Sequence, residues 1–422
     1  MAYSFLKKST ILFQIWLQVI RIFKETRISI INYFFVVKRA LKFLLVFIAA
    51  TIVIVLAAGI PNYSAFKTLF SNTDGMREGY EYVEKTFSLR GLTEFIGEHP
   101  EYMSIVSFNV DEPDSGIYYG ADIPRAQGAI SNLFLLIEYE RQVLEGKIDP
   151  DETVQISDIE RFFLPQISEN AHNSSIELLE AKSEDGKLTL DEAVATMIET
   201  NGLAIADYVW FKLGRENIFN LIEELNLEVT EAPLPFSGLY LAIQPTISDT
   251  NTTKSYDKII ALASRFNSDG TFNTETKELF RKERLNLSFI QEKDALADFP
   301  QTTAMEMATL MAALQKDDLI SVEVSQAVKE KMNWVFGGEA IKRSFSNYGA
   351  IYDNRMGMLS GIDFGTSIYD GHTSAQAVFF DQLPVAFFIH LSANHMQEDY
   401  QQRLIWDPAL YETTVNEIKK NN

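Results

Sequence analysis

Ala129–Lys147 reads AISNLFLLIEYERQVLEGK. The wider stretch 126–145 has helical spacing, and Gly146 closes it with a C-cap signal. Leu133–Ile137 is apolar on every side, so the sequence predicts a helix at the centre of a core. Upstream, Tyr102–Val110 (YMSIVSFNV) has strand composition. The turn cluster Asp111–Gly116 follows, and Ile117–Gly120 returns as a second strand, which makes a hairpin. Downstream, Leu188–Leu213 holds two helical stretches that meet at Thr200-Asn201-Gly202, and Glu216–Leu225 is a third. Residues 229–300 read as irregular with one helical patch, Tyr256–Arg265. Thr303–Leu314 and Glu323–Val335 read as helices, and Gln397–Lys420 as a terminal helix. Met356–Gly361, Thr373–Phe380 and Val385–Ser392 read as three strands. Strands from both chain ends must then join one antiparallel sheet, with a helical cluster inserted between them. This is an α+β arrangement.

Charge divides the 422-residue chain unevenly. Residues 1–42 carry eight Lys or Arg against one acid, leaving 29 basic and 57 acidic residues, a net charge of −28, for the remainder. So acidic a domain is repelled by phosphate backbones, which excludes nucleic acid as a partner. There is no cysteine, so disulfides, thiolate metal sites and cysteine nucleophiles are all absent. Between the two parts lies Phe43–Ile60, FLLVFIAATIVIVLAAGI, 18 residues without a charge. As a helix it would span about 27 Å, close to the hydrocarbon thickness of a bilayer. Lys38, Arg39 and Lys42 abut its start, and the positive-inside rule keeps them cytoplasmic. A cleavable signal peptide fits less well, because the basic lead is long and the apolar run exceeds a signal core. Ile11–Phe23 and Ile28–Val37 read either as amphipathic helices on the inner membrane surface or as a further hydrophobic hairpin. The expected organisation is therefore a basic cytoplasmic segment 1–42, a single transmembrane helix 43–60, a stalk 61–87 and an extracytoplasmic domain 88–422.

Four segments of that domain resemble the class A β-lactamases and the related penicillin-recognising serine hydrolases. Ala129–Lys147 is similar to the helix that begins with the family's catalytic Ser-x-x-Lys. Lys187–Gly214 (KLTLDEAVATMIETNGLAIADYVWFKLG) is similar to the segment of the Ser-Asp-Asn loop. Thr302–Met332 is similar to the helices after the Ω-loop, and Met358–Asn394 holds the place of Lys-Thr-Gly and the final strands. The resemblance implies a β-lactamase-like antiparallel sheet with a helical cluster. It also implies vacated chemistry. With Gly146 setting the register, Ala129 stands where the serine belongs and Asn132 where the lysine belongs. Alanine offers no nucleophile, and asparagine takes no proton at neutral pH. Asn201-Gly202-Leu203 replaces Ser-Asp-Asn, and Leu203 cannot hydrogen-bond a substrate amide. Leu359-Ser360-Gly361 stands for Lys-Thr-Gly without its cation. No clear Glu-x-x-x-Asn marks the Ω-loop.

Ser-x-x-Lys itself occurs three times, at Ser4/Lys7, Ser64/Lys67 and Ser255/Lys258, none in the expected place. Ser131 lies two residues past the nucleophile position at Ala129, but Phe134 then occupies the lysine position relative to it. His99, His172, His372, His390 and His395 lack metal-ligand spacing and read as surface or capping residues. Asp111, Glu112 and Asp114 read as a solvated turn rather than a calcium site.

Besides a purely architectural role, in which the anchor and the basic N-terminal helices matter and the outer domain is a spacer, two readings follow, with no cofactor or metal implied by any. In the first, a membrane-anchored, catalytically inactive β-lactamase-like domain binds a cell-wall component or envelope protein. Its candidate pocket is formed by Ala129, Asn132, Asn201, Leu359, Ser360 and Gly361. In the second, the domain is an active serine hydrolase of the β-lactamase or D-alanyl-D-alanine carboxypeptidase type with relocated catalytic residues. The insertion 229–300 has no role in either.

Overall fold

Gly146 sits at a φ of +69°, just past the last turn of the central helix, so the stop signal read from the sequence is the one the backbone uses. The computed structural model describes residues 73, 77–248, 255–332, 351–356, 360–369, 372–394 and 396–421. In chain order the elements begin with helices α1 (Tyr80–Lys85) and α2 (Leu89–Glu98) and the hairpin β1 (Met103–Asn109) and β2 (Glu112–Tyr119). The short strand β3 (Arg125–Ala126) and a 3-10 turn (Gly128–Ile130) lead into the central helix α3 (Ser131–Leu144). A helical region follows: β4 (Thr153–Gln155), α4 (Ile156–Glu160), α5 (Glu169–Lys182), β5 (Lys187–Thr189), α6 (Leu190–Thr200), α7 (Leu203–Leu213) and α8 (Arg215–Glu224). Next come α9 (Phe236–Ile243), α10 (Tyr256–Ser268), α11 (Gly270–Glu283), α12 (Phe289–Leu296), β6 (Gln301–Thr302), α13 (Ala304–Gln315) and α14 (Val322–Met332). The chain closes with β7 (Ile351–Met356), β8 (Ser360–Tyr369), β9 (His372–Phe380), α15 (Val385–Ala393), α16 (Met396–Trp406) and α17 (Pro408–Asn421).

The main sheet has the order β2-β1-β9-β8-β7, antiparallel throughout, so strands from both chain ends do share it. Along β1 the side chains alternate between two cores. Met103 and Ile105 face one cluster, with α2, α15, α16 and α17, while Val106 and Phe108 face the other, with the helical region. On β9, Val378 and Phe380 join the first cluster, and Ala377 and Phe379 the second. Helices on both faces explain why β1 is buried along nearly its whole length. Leu133–Ile137 of α3 are all buried in the larger core, against α6, α7, α8 and α14.

Several expectations change. Val385–Ser392 is helix α15, not a strand. A short apolar run buried all round has no periodicity to separate the two, and Pro384 starts a helix here. Of Met356–Gly361, Met356 ends β7 and Ser360 and Gly361 open β8, while 357–359 lie outside the described residues. The region 229–300 is not irregular but holds four helices. Asp269 caps α11 by accepting from the backbone N–H groups of Thr271 and Phe272, and Ser288 with Gln291 forms a capping box at α12. Gln397–Lys420 breaks at Asp407-Pro408 into α16 and α17. The stretch 61–87 joins the domain from Glu78 onward: Lys293 Nζ lies 2.6 Å from Glu78 Oε1, and Tyr82 packs edge-on against Phe95 and Phe387. Phe43–Ile60 and the segment 1–42 lie outside the described residues. Among the described residues no helix is long and apolar enough to cross a membrane.

Candidate functional site

Ala129 lies in the 3-10 turn that leads into α3. Asn132, on the first turn of α3, is fully buried, and among the described residues neither its Oδ1 nor its Nδ2 has a hydrogen-bond partner. Ser131 is committed elsewhere. Its hydroxyl donates to Gln127 Oε1 at 3.1 Å, and the Gln127 amide donates onward to the carbonyls of Glu231 and Gln301. No base stands in that chain. Strand β7, and beside it β8, runs along the Gly128–Ile130 turn.

At the α6–α7 junction, Asn201 has φ 54° and closes α6 in the left-handed conformation that asparagine tolerates. Gly202 follows because a Cβ there would meet Ser175 Oγ at 2.5 Å. Leu203 opens α7. Helix termination and close packing thus account for the residue types at this junction. Leu359 lies outside the described residues. Ser360 and Gly361 open β8, paired with Met356 and Arg355 of the edge strand β7. Ala129 and Asn132 share the start of α3, and Asn201 closes α6.

A different site was not anticipated. Asp207, on the inner face of α7, is completely buried. Its carboxylate accepts the backbone N–H of Phe236 at 2.5 Å and of Ser237 at 2.8 Å. These are the unpaired donors at the start of α9, so Asp207 caps a helix thirty residues away. The Trp210 indole donates to the Pro233 carbonyl at 2.9 Å and fixes the same segment. Burial pushes the Asp207 carboxyl up to about 7, against the opposing pull of hydrogen bonds from Ser237 and Phe236.

Beside Asp207 lies a small crevice with room for about one water molecule. Phe162, Phe163, Leu164 and Ile167 form one wall, Leu203 and Ala204 of α7 another, and Phe236 and Tyr240 of α9 a third. His172 of α5 stacks on Phe163 with ring centroids 3.7 Å apart and is buried, which corrects its reading as a surface residue. Burial, and then the charge of Lys277, push its imidazole down to about 4. The sequence signal for Asp207 was present: it is the one acid in the apolar run Leu203–Phe211. Nothing local marked Ser237.

The remaining candidates stay apart from these places. Ser255 and Lys258 lie at the start of α10 in the insertion, while Ser4 and Ser64 fall outside the described residues. Asp111, Glu112 and Asp114 are exposed on the hairpin. Among the described residues no cluster of His, Asp and Glu could hold a metal ion.

No protein-family model and no curated protein matches this chain. Solved structures do. A β-lactamase from Sphaerobacter thermophilus is similar at 12% identity and a TM-score of 0.49, over 75% of this chain and 95% of its own. A β-lactamase from Chitinophaga pinensis is similar at 12% identity and a TM-score of 0.49, over 76% and 99%. The TLA-3 extended-spectrum β-lactamase is similar at 12% identity and a TM-score of 0.48, over 77% and 99%.

Proposed function

We propose that this chain is a membrane-anchored, extracytoplasmic β-lactamase-like domain that performs no acyl-enzyme chemistry and acts by binding a cell-envelope ligand or partner. The observation that carries the reading is the start of α3. Ala129 stands where the resemblance puts the nucleophile, Asn132 is buried there without a hydrogen bond among the described residues, and the Ser131 hydroxyl is tied to a neutral glutamine. Anchoring rests on the uncharged run Phe43–Ile60 behind Lys38, Arg39 and Lys42. It would hold the binding domain at the outer membrane-facing surface.

One observation speaks for the alternative, a hydrolase with relocated residues: Ser237 adjoins the Asp207 carboxylate. Against it, Ser237 is 2% exposed and Asp207 is already engaged by two backbone donors. The test is incubation of the full-length protein with a fluorescent penicillin, read by intact mass. No adduct is expected. A stoichiometric adduct would overturn the inactive reading, and its mapping to Ser237 would establish the alternative.

A further inference from the structure

Glu78 and Gly79 clamp the chain where it enters the domain. Lys293 of α12, only 8% exposed, places its Nζ 2.6 Å from Glu78 Oε1. Glu78 Oε2 accepts the Val385 backbone N–H at 3.2 Å, and the Glu78 carbonyl accepts that of Ala386 at 3.0 Å. These are donors left unpaired at the start of α15, so Glu78 caps a helix 307 residues away. Gly79 follows at a φ of +76°, where a Cβ would meet the Pro384 Cβ at 2.3 Å. The point at which the preceding chain leaves the domain is therefore fixed on α12 and α15.

Just past the clamp the chain carries uncovered apolar surface. Among the described residues Phe87 is the most exposed large hydrophobic side chain, at 73%, and Tyr80 follows at 59%. Both lie within nine residues of Glu78. Phe87 sits on the corner between α1 and α2, and that corner is rigid. Thr86 Oγ1 donates to the Tyr82 carbonyl at 2.7 Å, and Ser88 caps α2 by accepting the Gly91 N–H at 3.1 Å. A Cβ on Gly91 would lie 2.0 Å from the Lys85 carbonyl oxygen, so α2 is pressed against the end of α1. The His390 ring meets Phe87 edge-on, with centroids 5.0 Å apart. The fold thus holds this ring outward rather than leaving it loose. Exposed Lys85 and Arg90 flank it, with Glu81 and Glu84 near them in sequence, so the corner carries no net positive charge. Aromatic rings beside long, snorkelling cations are suited to a membrane–water interface.

We propose that the α1–α2 corner rests on a bilayer surface, with Phe87 and Tyr80 inserted among zwitterionic phospholipid headgroups, and that the Glu78 clamp sets this orientation. The proposal rests on the anchoring part of the reading above. Seventeen residues, 61–77, separate the end of the apolar run at Ile60 from Glu78, and they reach at most about 60 Å. A bilayer holding that run is therefore within reach of the clamp, and the corner is the exposed apolar surface nearest the clamp along the chain. The lack of a basic patch there disfavours anionic lipid as the partner.

The chain has no cysteine, so an introduced cysteine carries a unique label. The test places the full-length protein in phosphatidylcholine nanodiscs, one copy per disc, and reads quenching of a bimane label by brominated lipid. A label on Phe87→Cys should be quenched several-fold more than labels on Leu144→Cys and Val322→Cys, side chains 52% and 50% exposed elsewhere in the domain. A label on Tyr80→Cys, with Phe87 intact, should also be quenched, and adding Phe87→Asp should reduce that quenching several-fold. The signal should persist at high salt, because apolar burial rather than charge holds the corner. Glu78→Ala, which opens the clamp, should reduce quenching at 87, and an unchanged signal would overturn the clamp's part. Equal quenching at 87 and 144 in protein that resides in the discs would overturn the proposal and leave the anchor standing. A signal that appears only with several copies per disc would assign the corner to a second copy, and would also overturn it. Protein that fails to enter the discs would overturn the anchor and the proposal together, so the two failures are distinguishable.

Discussion

The start of α3 and the floor of the crevice each place one polar side chain deep in the same helical core, and the two are treated in opposite ways. Asn132 is buried with both amide atoms unpartnered. Asp207 is buried just as deeply, yet its carboxylate is held by two backbone donors that would otherwise be orphaned. A buried polar group without partners weakens a fold, whereas one that satisfies a helix end holds two elements together. The position where the resemblance puts catalytic chemistry is therefore a structural liability, and a position it does not mark is a structural joint.

The largest expected effect breaks the joint. Asp207→Ala removes the acceptor for the N–H groups of Phe236 and Ser237 and leaves a void. It should lower stability by about 2–3 kcal/mol in chemical denaturation at pH 6. An unchanged midpoint would mean that the carboxylate does not secure α9.

Relieving the liability should work in the other direction. Asn132→Leu is close in size and removes an unpaired buried amide. It should raise stability by about 1–2 kcal/mol, read as a higher melting temperature. A loss of stability would show that Asn132 is satisfied in solution, by water or by a ligand.

The smallest effect is a pH slope. Asp207 holds its proton up to about 7 in the folded state but releases it near 4 when unfolded, so its contribution to stability falls as pH rises through that window. His172, pushed down to about 4, refuses a proton that the unfolded chain accepts below 6.5, so its contribution falls as pH drops from 6.5 to 4. The two slopes oppose each other in the native protein. His172→Phe keeps the ring stacked on Phe163 and removes one slope. Relative to the native protein, its stability should then decline with rising pH between 4.5 and 6.5, by up to about 1 kcal/mol per unit. Parallel pH profiles would show that His172 is not buried neutral.

The sequence was legible wherever a local signal matched the final environment. Gly146 stopped α3, Thr200-Asn201-Gly202 separated α6 from α7, and the hairpin formed, though its turn is Val110-Asp111 and Glu112–Gly116 of the expected turn cluster belong to β2. It misled where burial erased periodicity, as in α15, and where helices of low apolar content relied on caps, as in α11 and α12. His172 is a side chain whose burial depends on a partner, Phe163, that loops back over it. Of the candidate site, the sequence placed Ala129 and Asn132 together at the start of one helix, but it could not see that the edge strand beside them is β7.

By itself the sequence determined the α+β order, the central helix, the charge contrast between the first 42 residues and the rest, and the absence of a serine–lysine pair at the start of α3. These are properties of composition and short-range spacing, which survive without knowing what packs where. Only the tertiary structure decided that Asp207 caps α9 across thirty residues, that Asn132 has no partner, and that the insertion grips the loop at 161–168. Each of those is a contact between segments distant in the chain, fixed by which buried donors and acceptors happen to meet when the core closes.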